Sequence, residues 1–231
     1  MEPLAEGSRT ALAFSRHIDE LCEIMKFRLT YEGELMARGG GASHKHEIRR
    51  VFHRQLKRWW DIHPYLSDWQ KEGSQKHFAN VHTNDPAKQK LSHVEHLANS
   101  YRRGEYRFVP LATEQWQLVV SLDILFLRSG RPGDAVRSAD LDGRLKTLID
   151  ALRLPQQLGE LGEYQTPQDG EDPFFCLLED DKLVGNVSVT TDTLLEPTPR
   201  SHGYHDTHDA RVIIEVTLKG WAGFSWGTPF L

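Results

Sequence analysis

Ser138-Ala-Asp-Leu-Asp-Gly-Arg-Leu-Lys-Thr-Leu-Ile-Asp-Ala-Leu-Arg-Leu154 changes its period within itself. Asp140 and Asp142 flank a single Leu, so an extended backbone points both carboxylates to one side. From Asp142 onward the spacing is helical. Leu141, Leu145, Leu148 and Leu152 recur along one face, while Asp142, Lys146 and Asp150 recur every four residues on another. The stretch predicts a loop or strand end feeding an amphipathic helix whose polar face reads acid, base, acid. A phosphodiester-cleaving metal site can use that order, since hard cations such as Mg²⁺ take carboxylate oxygens, water and substrate phosphate. A solvated helix face with i,i+4 pairing has the same order, and the spacing alone leaves both readings open. A calcium-binding loop does not fit, because the twelfth position from Asp140 is Ala151 and the glycine comes at the fourth.

Working outward, Trp116 to Leu127 alternates as a strand, with Trp116, Leu118, Val120, Leu122, Ile124 and Phe126 on one face. Downstream, Pro155 to Pro173 is rich in Gly, Gln and acids and predicts a surface loop. Leu183 to Leu194 and Arg211 to Leu218 predict two further strands, joined by a loop with Pro197 and Pro199. His202, His205 and His208 in that loop lack a Cys or a regular element to fix them as zinc ligands, so a surface role is expected; the same holds for His44 and His46.

Upstream, Phe27 to Leu35 alternates as a strand with Gly33 as a bulge or close approach, and Arg38 to Ser43 reads as a flexible loop. His46 to Trp60 predicts a strong helix with Ile48, Val51, Phe52, Leu56, Trp59 and Trp60 on its apolar face. Trp59 and Trp60 belong there to the core or an interface rather than to base stacking. The opposite face carries Arg49, Arg50, Arg54, Lys57 and Arg58, candidates for phosphate contact. Thr10 can cap a first helix along Phe14, Ile18, Leu21 and Met25, and Asp85-Pro86 can start another that stops at Gly104. The order predicts one α/β or α+β domain over residues 1–231, a mixed sheet flanked by helices, with an added N-terminal helix and an insertion at 60–105.

Composition is that of an ordinary globular protein, at 39% hydrophobic and 26% charged residues. The net charge of −5 argues against a non-specific nucleic-acid binder, but the distribution is uneven. Residues 44–108 carry 13 basic and 7 acidic side chains, and residues 109–231 carry 10 and 19. A phosphate-binding surface beside a carboxylate-rich site fits that asymmetry, as do ordinary solvated faces. Cys22 and Cys176 read as free thiols. No apolar run approaches the roughly 20 residues of a membrane span. With no signal-peptide pattern either, the expected address is the cytoplasm.

Ala139-Asp-Leu-Asp-Gly-Arg-Leu-Lys-Thr-Leu-Ile-Asp-Ala-Leu152, followed by Glu179-Asp-Asp-Lys-Leu-Val184, resembles the signature of the RusA-type Holliday-junction resolvases. In that family Asp-x-Asp-Asn is followed by a Lys, an Asp-Ala-Leu and then Asp-Asp at the start of a strand. The resemblance implies a homodimeric endonuclease, dependent on Mg²⁺ (Mn²⁺ as a substitute), that cuts four-way DNA junctions. It implies Asp140, Asp142 and Asp181 as metal-binding carboxylates with Asp180 beside them, Lys146 as a catalytic helper and Asp150 in support. Arg128, Arg131 and Arg137 flank the motif and join the basic helix as expected DNA contacts. Gly143 stands where the family has Asn. Two other readings follow from that departure and from the insertions: a DNA-binding or assembly protein that kept the fold without the activity, and a metal-dependent nuclease of other specificity.

Overall fold

The computed structural model describes residues 25–37, 41–74, 90–129, 140–199 and 208–220. The expected first helix at Thr10, the start of the Asp85-Pro86 helix, Arg131, Arg137, His202 and His205 lie outside the described residues, as does the side chain of Asp140.

The described elements, in chain order, are β1 (Lys26–Glu34), α1 (Gly41–Ile62), α2 (Pro64–Trp69), α3 (His93–Ser100), β2 (Arg102–Arg103) and β3 (Tyr106–Ala112). They continue with β4 (Leu118–Arg128), α4 (Asp140–Leu152), β5 (Phe174–Leu178), β6 (Val184–Thr193) and β7 (Asp209–Gly220). Two mixed sheets result. The larger has the order β1-β7-β4-β6, antiparallel except for the parallel β4–β6 pair; the smaller has β2-β3-β5, with β3 and β5 parallel. The α+β class expected from the sequence is the class observed.

Alternation explains the larger sheet. Val120, Leu122, Ile124 and Phe126 of β4 are buried together with Val212, Ile214, Val216 and Leu218 of β7 and Phe27, Leu29 and Tyr31 of β1. Helix α1 covers this face with Ile48, Phe52, Leu56 and Trp60, a row at i,i+4 spacing. Each such side chain contributes about 1.5–3 kcal/mol by leaving water. Trp60 is fully buried and Trp59 stacks on Phe27 at 4.9 Å between ring centroids, as expected of core tryptophans. Gln55 of α1 occupies the outer edge of β1 at Thr30. Its amide accepts from the Thr30 N–H at 2.9 Å and donates to the Thr30 carbonyl at 2.7 Å.

Several expectations need correction. Helix α1 starts at Gly41 rather than His46, because Ser43 is docked: its Oγ accepts from the Glu163 N–H at 3.2 Å and Gly162 packs against it. Gly104 does not end a helix. It sits at φ +58° in the two-residue turn between β2 and β3, a conformation favourable to glycine, and α3 already ends at Ser100. Gly33 makes no bulge, since β1 pairs with β7 without a register shift. Strands β3 and β5 were unforeseen. All five residues of β5 are buried, so no alternation marks them. Trp116 belongs to a 3-10 turn ahead of β4.

Candidate active site

Helix α4 packs its buried Leu148, Ala151 and Leu152 into the core, with Leu141, Leu145 and Ile149 half-buried beside them. That fixes which way its polar face points. Asp142, Lys146 and Asp150 line a cavity of about 500 Å³ together with Leu145 and Ile149 of the same helix. The opposite side is supplied by Asp181, Val184 and Val187, from the turn after β5 and from β6. The parallel β4–β6 pairing returns the chain to α4 after a separation of about thirty residues. Residues that the sequence separates thus share one wall-to-wall space.

The structure sorts the acids of this region by what they touch. Asp150 is buried and engaged: Lys45 Nζ of α1 donates to its Oδ2 at 2.5 Å and Arg153 Nη2 to its Oδ1 at 3.3 Å. It fastens α1 to α4. Asp180 is engaged as well. Its Oδ1 accepts from the Lys182 N–H at 3.0 Å, capping the 3-10 turn Asp181–Leu183, and its Oδ2 accepts from Gln156 Nε2 at 3.2 Å. Asp180 thus caps the turn and is not among the residues that line the cavity. Glu179 accepts from the Glu114 N–H at 2.8 Å, and burial pushes its carboxyl up. Asp142, Lys146 and Asp181 differ from all three. Each is exposed at the cavity, and among the described residues no ion pair engages them.

Two exposed carboxylates around one space supply the hard oxygen donors that Mg²⁺ takes, completed by water and a substrate phosphate. In this respect Asp142 and Asp181 fit the implied metal. Among the described residues no group of three His, Cys, Asp or Glu forms a metal cluster.

The basic face of α1 has a different fate. Arg49 is 1% exposed; its Nη2 donates to the Asp150 carbonyl at 2.9 Å and its Nε to the Arg153 carbonyl at 3.1 Å, closing the C-terminal end of α4. Burial pulls the guanidinium down to about 10. Arg50 Nε donates to Glu171 Oε1 at 2.5 Å and its Nη2 to Gln168, while Lys57 Nζ donates to the Gly170 carbonyl at 2.9 Å. His53 joins them: its Nδ1 accepts from the Phe175 N–H at 2.8 Å and its Nε2 meets the Gly170 carbonyl at 3.2 Å. Burial holds His53 down at about 4 and His46, expected at the surface but fully buried, at about 3, so both are neutral near pH 7. The connector 155–173, with five acids and no base, is thus seated on this face. Arg49 is corrected from a phosphate contact to an internal partner, and Arg50 and Lys57, which keep some exposure, bond to the connector. Arg54 and Arg58 remain exposed, and Arg128 ends β4 half-buried with its Nε toward the Ser129 carbonyl at 3.4 Å.

Sequence reasoning missed Lys45, Thr147 and Val187, and no periodic signal marks them. Cys176 is a free, buried thiol, as expected. Comparisons with protein-family models, curated proteins and solved structures returned no match. No described helix is long and apolar enough to cross a membrane.

Proposed function

We propose that this chain is a divalent-metal-dependent endonuclease of the RusA type, acting on branched DNA as a homodimer. The observation that carries the reading is the convergence of Asp142, Lys146 and Asp181, from two distant segments, on one cavity with their charges uncommitted. Asp142 and Asp181 would hold Mg²⁺ or Mn²⁺; the extended backbone expected to turn Asp140 to the side of Asp142 is replaced by helix from Asp140 onward. When bound, such an ion supplies Lewis-acid polarisation of the phosphoryl group and a more acidic water. The chain's own residues do the rest. Lys146 donates to the phosphoryl oxygens as negative charge builds on them, while one water oxygen bonds to phosphorus and one P–O ester bond breaks. The leaving oxygen departs as an alcohol, with the equivalent of the proton that the water gives up. Leu145, Ile149, Val184 and Val187 shape the apolar part of the space. Two copies related by a two-fold axis would present two such sites to opposite strands of a junction.

The test uses the purified full chain with a synthetic four-way junction, linear duplex, single-stranded DNA and RNA, in Mg²⁺ or in EDTA. Paired, metal-dependent nicks in the junction, abolished in D142N and K146A, are the expected result. Binding without cleavage under any divalent ion would replace the reading with a non-catalytic one. Equal cleavage of linear DNA or RNA would keep the chemistry and replace the substrate.

A further inference from the structure

Gly143 follows Asp142 directly and faces Ala37, the last described residue after β1. A Cβ placed on Gly143 would stand 2.8 Å from the Ala37 Cβ, 3.2 Å from its carbonyl oxygen and 3.3 Å from its Cα. Contacts under 3.0 Å are closer than real Cβ atoms approach, so no side chain fits there without moving the neighbouring main chain. Glycine is also a poor helix former, which makes its place in the first turns of α4 a matter of close approach rather than propensity.

The neighbouring bonds hold the same segment from three sides. Thr147, which follows Lys146, donates its hydroxyl to the Met36 carbonyl at 3.0 Å. The Met36 N–H donates to His44 Nε2 of α1 at 3.3 Å, and the Leu35 N–H to the His208 carbonyl at 2.8 Å. Leu35–Ala37 is therefore fixed by α1, by the approach to β7 and by the two α4 residues that directly succeed the cavity's Asp142 and Lys146.

We propose that Leu35–Ala37 is a positioning wall of the site: its main chain, seated on Gly143 and Thr147, sets the angle at which α4 presents Asp142 and Lys146. Ala37, with its Cβ nearest and its main chain just behind, fills the space where the RusA pattern carries the Asn side chain, so Gly143 is a packing solution and not a missing site residue. The catalytic consequence rests on the nuclease reading; the packing of Ala37 on Gly143 does not. Misplacing a catalytic group by about 1 Å can cost about 10²-fold in rate.

The experiment compares full-length wild type, G143A, G143N and the double variant A37G/G143A. Readouts are kcat and KM on the four-way junction, thermal melting, and amide hydrogen exchange of Leu35–Ala37. G143A is expected to lower kcat by about 10²-fold with KM within about threefold. G143N, although it restores the family residue, falls at least as far. A37G removes the nearest atom and raises the rate of the double variant at least about tenfold over G143A. Wild-type rates in G143A or G143N, or a double variant no better than the single, would overturn the proposal. Should G143A fail to fold, a cooperative melt regained with A37G supports the wall and a chain that stays unfolded refutes it. If wild type cuts nothing, the nuclease reading falls by itself and exchange decides the rest. Faster exchange at Met36 in G143A, reversed by A37G, supports the wall; unchanged exchange sinks it.

Discussion

Arg49, Arg50 and Lys57 of α1 end on groups from elsewhere in the chain, whereas Asp142 and Lys146 of α4 end in a cavity. Both helices set a charged face against an apolar one with similar spacing. Helix α1 meets a connector that brings acids and carbonyls to it, so its cations hold the fold together. Asp142 and Lys146 of α4 instead border a cavity that Val184 and Val187 of β6 also line, and among the described residues no ion pair engages them. Charge that folding leaves uncommitted is available for a ligand; charge that folding has paired is not.

The largest effects should come from the uncommitted set. D142N and K146A are each expected to lower cleavage by about 10²–10³-fold, as removal of one transition-state interaction does, while stability stays within about 0.5 kcal/mol. Parallel rate and urea-denaturation measurements check both halves. A large fall in stability in either variant would break the contrast between the helices.

R49A should behave in the opposite way. It strips donors from the carbonyls of Asp150 and Arg153, and each buried acceptor left unsatisfied costs about 1–3 kcal/mol. A destabilisation of about 3 kcal/mol in chemical denaturation is expected, with single-turnover cleavage of the folded fraction largely retained. A variant that melts normally but no longer binds DNA would return Arg49 to the phosphate-binding set.

Acid sharpens the same point. His46 and His53 are buried and neutral, with folded values lowered to about 3 and about 4. The unfolded chain binds protons to both near 6.5, so it gains protons first as the pH falls. Stability is therefore full above about pH 6.5 and declines toward pH 4, by up to about 1.4 kcal/mol per pH unit for each histidine. Denaturation midpoints at pH 7 and pH 5 measure the slope, and H53Q should flatten it. A slope that H53Q leaves unchanged would remove His53 from the seam between α1 and the connector.

How far the sequence carried this picture depends on burial. β1, β4 and β7 were readable because one face of each is buried and their alternation survives. β6 was readable from its position and composition, though most of it is exposed. β3 and β5 are buried almost throughout, and Phe174–Leu178 offers five apolar residues with no period. Within the site, Asp142 and Lys146 were legible from helical spacing. Spacing did not separate Asp180 from Asp181, which only the resemblance put first, because a local turn decides which carboxylate caps and which reaches the cavity. The fate of α1's cations was illegible for another reason. Arg50 and Glu171 lie 121 residues apart, and no local pattern encodes that meeting.

The smallest effects are expected at Arg54 and Arg58, exposed on α1. Replacing both with Ala should change stability by less than about 0.5 kcal/mol. If these two still touch DNA, the double variant reduces the slope of log binding constant against log salt by about 1 for each arginine that had neutralised a phosphate. An unchanged slope would exclude this side of α1 from the interface.

Gln55 gives the larger sheet a direction. By answering both the N–H and the carbonyl of Thr30, its amide acts as a one-residue substitute for a neighbouring strand at that position of β1. Among the described residues nothing comparable terminates the ladder at β6, whose segment 185–188 is exposed. A further strand could not pair at Thr30 without displacing that amide, and the exposed stretch of β6 borders the cavity through Val187.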